Sequence, residues 1–209
     1  LYLIGGDNNK RLTPFAADLG EDPQSFTAET SINSQESIGR WLLPNTWGGT
    51  VPSSTWTFSM NYEVSNAAGA RIQNATATVS IGSKTFSQEL DQGSSFLAQG
   101  AGSLTFDIDV ETLTASGSSN IELELTVQAV VFSVPATDAK LEFLWGSEDK
   151  DSSIEATIPL VDILMVEPEV EGSDVYLAVR LDSPWGLSTL AMAESITLKV
   201  NGQAVPGDP

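Results

Sequence analysis

Apolar and polar residues begin to alternate cleanly at Trp56. Trp56, Phe58, Met60, Tyr62 and Val64 interleave with Thr57, Ser59, Asn61 and Glu63. A period of two predicts a strand with one face buried and the other in water. The pattern returns in Ala75, Ala77, Val79 and Ile81, which lead through Gly82-Ser83 into a strand over 84–90. The two-residue break with a leading glycine predicts a tight hairpin. Leu104, Phe106, Ile108 and Val110 alternate with Thr105, Asp107, Asp109 and Glu111, and Ile121, Leu123, Leu125 and Val127 alternate with Glu122, Glu124 and Thr126. Past Gln128 the pattern changes, because Val130, Val131 and Phe132 place apolar groups on both faces. That predicts a stretch covered on both sides. Leu141, Phe143 and Trp145, then Ile154, Ala156, Ile158 and Leu160, complete the series.

Between these runs lie turn-forming clusters at 66–69, 92–95, 116–120 and 146–153. Short strands at regular spacing, with turns between them, predict an all-β fold: an antiparallel β-sandwich of jelly-roll type. A parallel α/β sheet needs helical crossovers of about a dozen residues or more. The only helix-like stretch, Leu187 to Ser195, is too short to supply them. Residues 1–40 are punctuated by Gly5-Gly6, Asn8-Asn9, Pro14, Gly20 and Pro23 and carry no sustained period. They read as an extended, loop-like segment packed on the sandwich, with a short strand at Tyr2–Ile4 and another near Phe26–Thr30. The main sandwich is assigned to 41–165. Glu167-Pro168-Glu169 reads as a charged connector, after which Val175–Leu181 and Ile196–Val200 resume as strands, with Asn201-Gly202 as a turn. Residues 166–209 are too few to bury an independent core. They either add strands to the same sandwich or open a partial or small immunoglobulin-like unit, and the second is the working expectation.

Composition narrows the chemistry. Asp and Glu number 28 against 9 Lys and Arg, a formal charge of −19, and no basic cluster offsets it. Such a surface repels nucleic-acid phosphates, so nucleic-acid binding is set aside. Histidine and cysteine are both absent. That excludes a Ser-His-Asp triad, imidazole or thiolate metal ligands, and disulfides. Carboxylate chemistry and calcium binding survive. No apolar run approaches the ~18 residues of a membrane span, so no membrane insertion is expected within the chain. The chain opens at Leu1 without a methionine and with apolar Leu1–Ile4. This reads as a mature protein whose export signal or anchor has been removed, and points to the extracellular space or cell surface.

Three groups of residues could carry function. Asp107, Asp109 and Glu111 stand at i, i+2 and i+4, which places three carboxylates on one strand face. Crowded like charges split into acid and base. The solvated face of an amphipathic strand explains the same pattern, and Glu122 and Glu124 repeat it. Trp41, Trp47 and Trp185 sit in Gly- or Pro-flanked, loop-like contexts. Exposed, they would stack on sugar rings; buried, they would be lids over the open end of the core. Trp47, followed by two glycines, is the best candidate. Trp56 and Trp145 continue alternating core faces. Finally, Glu148, Asp149 and Asp151 cluster between Gly146-Ser147 and Ser152-Ser153. Hard oxygen ligands in a flexible loop suit Ca²⁺, although Lys150 sits among them and a solvated hairpin tip fits as well. No other cofactor is expected.

The run Asp107-Ile108-Asp109-Val110-Glu111 resembles the Glu-x-Asp-x-Glu strand of laminarinase-type retaining glycosidases, which are jelly rolls. That resemblance implies Asp107 as nucleophile, Asp109 as assisting carboxylate and Glu111 as acid/base. An Asp replaces the usual Glu at the first position, which shortens its reach where a carboxyl separation of about 5–5.5 Å sets the outcome. As a whole, residues 41–160 resemble the galactose-binding-like or lectin-like jelly-roll modules of exported microbial surface proteins, in style rather than by motif. That resemblance implies a non-catalytic module, carbohydrate-binding or adhesive, with a glycan or another surface protein as partner. The alternatives are a laminarinase-like glycoside hydrolase and a purely structural spacer.

Overall fold

The computed structural model describes residues 1–66, 69–91, 96–132, 139–159, 162–171, 174–183, 199–200 and 203–204. They form an all-β sandwich whose only helical element among the described residues is a three-residue 3₁₀ turn at Ala16–Asp18. One side of the sandwich is built from β3 (Gln24–Ala28), β12 (Leu141–Trp145), β6 (Ser54–Val64) and β9 (Gly100–Val110), each paired to the next antiparallel. The other contains β4 (Ile32–Leu42), β11 (Ile121–Val131), β7 (Ala70–Ile81) and β8 (Lys84–Asp91). Three short strands, β13 (Ser153–Glu155), β1 (Tyr2–Ile4) and β2 (Arg11–Thr13), carry the hydrogen-bonded path from β6 round to β4. The path is antiparallel except at β2–β4, where Arg11 pairs parallel with Leu42.

The alternation predicted over 56–64, 75–90, 104–110 and 121–127 becomes strands whose apolar residues point inward. β11 alternates buried and half-buried positions along its whole length. Phe58 and Phe106, opposite each other on β6 and β9, stack at 5.5 Å. Trp41 meets Trp145 edge-on at 5.3 Å. The Gly82-Ser83 hairpin joins β7 to β8, with Gly82 at φ +59°, a left-handed conformation that glycine adopts without strain.

Several expectations are corrected. The 1–40 segment has the expected strand at Tyr2–Ile4 and one at Gln24–Ala28 near the second expected position. It also supplies β2 and β4, so it builds the sheet rather than packing on it as a loop, and β4 runs through the expected boundary at residue 40. Residues 130–132 are not covered on both sides, since Val131 is buried while Phe132 is half exposed. Glu167-Pro168-Glu169 is not a connector but the middle of β14 (Asp162–Glu171), which also crosses the expected boundary at 165. β14 pairs with β15 (Asp174–Asp182), with Pro168 opposite Leu177. Proline lacks a backbone donor, which suits β14, paired among the described residues with β15 alone. β16 (Lys199–Val200) and β17 (Gln203–Ala204) form a two-residue ladder. The helix-like stretch at 187–195 and the turn at 201–202 lie outside the described residues. Among those described, no helix is long and apolar enough to cross a membrane.

Candidate functional site

Asp107 and Asp109 stand on the outer face of β9, exposed to solvent. Each is opposite a threonine of β6: Thr57 Oγ1 donates to Asp107 at 2.9 Å and Thr55 Oγ1 to Asp109 at 2.8 Å. The strand ends at Val110, so the exposed Glu111 falls in the connection to β10 (Leu113–Ser119). The Asp107 and Asp109 carboxylates are thus both held by cross-strand hydroxyls on an exposed strand face. Glu122 and Glu124, on β11 across the sandwich, instead flank Arg40 at 3.9 and 3.0 Å. Glu124, and then Glu122, raise the Arg40 guanidinium further above its usual range.

The tryptophans are placed by strands, not loops. Trp41 lies on β4 and Trp47 opens β5 (Trp47–Val51), opposite Ser119 of β10. Both are 0% exposed, so neither presents a ring to a ligand, and the platform reading is corrected to one of core packing. The glycine beside Trp41 explains its local sequence. A Cβ at Gly39 would come within 2.5 Å of the Trp41 ring, which folds back over that position. Neither indole N–H of Trp41 or Trp47 has an acceptor among the described residues, a cost of about 1–3 kcal/mol each that the buried ring area must offset. Trp185 lies outside the described residues.

The 146–151 loop turns tightly through Gly146 at φ +82°, with Lys150 N bonded to Ser147 O at 3.2 Å. Glu148 and Asp149 border a groove of about 340 Å³ with Leu19, Gly20 and Glu21, and Asp151 is not part of it. Among the described residues no three acidic side chains gather closely enough to hold a metal ion, so the expected set Glu148, Asp149 and Asp151 is not brought together.

What the fold does assemble is a polar corner that pattern reading missed. β1, β2, the 3₁₀ turn and the 146–151 loop converge there. The parallel bridge of Gly20 with Ser147, and Gly20 N bonded to Gly146 O at 2.8 Å, hold the two loops together. A depression of about 300 Å³ is lined by Asn9, Arg11, Asp18, Asp22 and Gln24 over a floor of glycine backbone. A second, of about 160 Å³, shares Arg11 and Asp18 and is walled by Pro14, Phe15 and Pro44. Phe15 is 48% exposed, one of three large hydrophobic side chains left in water among the described residues. The Asp18 carboxylate is fixed by the Thr13 hydroxyl, and Asp18 N donates to Phe15 O at 3.1 Å. The signal available in the sequence was Phe15 itself, a large aromatic in a stretch whose lack of periodicity offers it no buried face.

No protein-family model matches the chain, and no curated protein matches it either.

Proposed function

We propose that the chain is a non-catalytic β-sandwich module of an exported, cell-surface protein, and that it is adhesive through carbohydrate. The observation that carries the non-catalytic part is the pairing of Asp107 with Thr57 and of Asp109 with Thr55 on an exposed strand face. Carboxylates committed to neighbouring hydroxyls in open water are poorly placed for acid–base work on a bound sugar. The absence of histidine and cysteine removes the other common nucleophile and base chemistries. Carbohydrate is favoured over nucleic acid by the charge of −19, and by a corner that sets a half-exposed aromatic beside a mixed donor and acceptor set.

An array of microbial and host glycans, probed with and without Ca²⁺, tests this reading. Retention on a defined subset, equal in the two conditions, is expected. Silence across the array would reduce the module to a structural spacer.

A further inference from the structure

We propose that the corner formed by β1, β2 and the 146–151 loop is a subsite for a neutral hexose, with Phe15 as the stacking face. The proposal rests on the carbohydrate-binding reading above and adds to it the place of binding and the class of sugar.

The two depressions meet at Arg11 and Asp18, which line both. A ligand spanning them would lay one apolar face against Phe15 and turn its hydroxyls toward Arg11, Asp18, Asn9 and Gln24. Sugar hydroxyls donate and accept at once, so they are best met by alternating donors and acceptors. Here a guanidinium supplies donors, carboxylates supply acceptors, and amides supply both. Arg11 has no ion-pair partner among the described residues, in a chain with few cations. With Asp18 and Asp22 beside that single cation, the corner does not favour a uronic acid, whose carboxylate would meet two like charges. The larger depression is at the small end of the range for ligand pockets, about 300–1,000 Å³, which suits a single ring with its linkage extending outward.

The corner is also built before any ligand arrives. Gly5 adopts φ +84°, and a Cβ there would come within 2.2 Å of Asn9 O, so the loop that carries Asn9 closes only over glycine. The Trp145 indole donates to Gly5 O at 2.9 Å from inside the core. Lys10, between the two lining residues Asn9 and Arg11, rests its ammonium over the same indole. A ligand therefore meets side chains whose backbone is already ordered, which lowers the entropy cost of binding.

The test measures retention of oligosaccharides of glucose, galactose and mannose by the wild-type chain, then by Phe15→Ala and Arg11→Gln, with Glu36→Gln on the outer face of β4 as control. Phe15 and Arg11 are exposed, so thermal unfolding should confirm that each variant folds. The expected result is binding of a neutral hexose chain, weakened about tenfold or more by each corner substitution and unchanged by the control. Binding that survives both substitutions would overturn the corner while leaving carbohydrate binding intact. Retention of acidic glycans alone would overturn the neutral-hexose assignment. Failure to retain any glycan would remove the proposal together with the reading beneath it.

Discussion

The Lys10 ammonium lies 5.2 Å from the ring centre of Trp145 and 6.0 Å from that of Trp41, with its side chain only 13% exposed. Its carboxylate partner, Asp7 at 3.5 Å, is almost fully solvated and contributes little. The tryptophan faces are therefore the main support of a largely buried cation. Replacing Lys10 with methionine keeps most of the apolar stem and removes the charge. Chemical denaturation should show a loss of about 0.5–2 kcal/mol. Lys10→Arg should retain most of the stability, because a guanidinium also stacks on aromatic faces.

Trp47 should behave as a core residue. Its fully buried ring predicts that Trp47→Ala costs about 3–5 kcal/mol, read as a fall in the denaturation midpoint. Glycan retention measured below the melting temperature should not change. A variant of native stability that has lost its ligand would restore the platform reading.

Gly39 should tolerate no side chain. A Cβ would overlap the Trp41 ring at 2.5 Å, and that ring is itself locked edge-on against Trp145. Gly39→Ala should destabilise by about 1–3 kcal/mol through displacement of the ring. The change should appear in the near-ultraviolet circular dichroism of the tryptophans as well as in the midpoint. An unperturbed spectrum with an unchanged midpoint would mean that the Cβ is accommodated without displacing the ring, contrary to this account of Gly39.

Thr57→Val and Asp107→Asn probe the outer ladder. The bond they share is solvated, so each substitution should shift stability by no more than about 1 kcal/mol. Neither should alter glycan retention.

Much of the fold was legible because β6, β7, β9 and β11 have one wet face and one dry face, which writes a period of two into the chain. β4 obeys no such period. Its residues 33–37 are all exposed, and its pairing with β11 slips at Ile38, where Leu125 opposes Gly39 and Thr126 opposes Ser37. A bulge of this kind turns consecutive side chains to the same face and erases the alternation. β2 and β13, at three residues each, are too short to display any period. The glycine that marked Trp41 as a loop residue is packing space beneath its ring, a meaning visible only in three dimensions. The corner was hidden for a similar reason. Asn9, Arg11, Asp18 and Gln24 follow no spacing rule, and they become neighbours only because β1, β2 and the 146–151 loop meet.

On the proposed function, this sandwich holds carbohydrate and leaves it unchanged. One sample tests it directly: a neutral hexose oligosaccharide retained by the wild-type chain is incubated for an extended period, then recovered and weighed by mass spectrometry. Recovery at full length is expected, with the same outcome for Asp107→Asn. Shortened products that disappear in the Asp107→Asn sample would contradict it and place chemistry on the open face of β9.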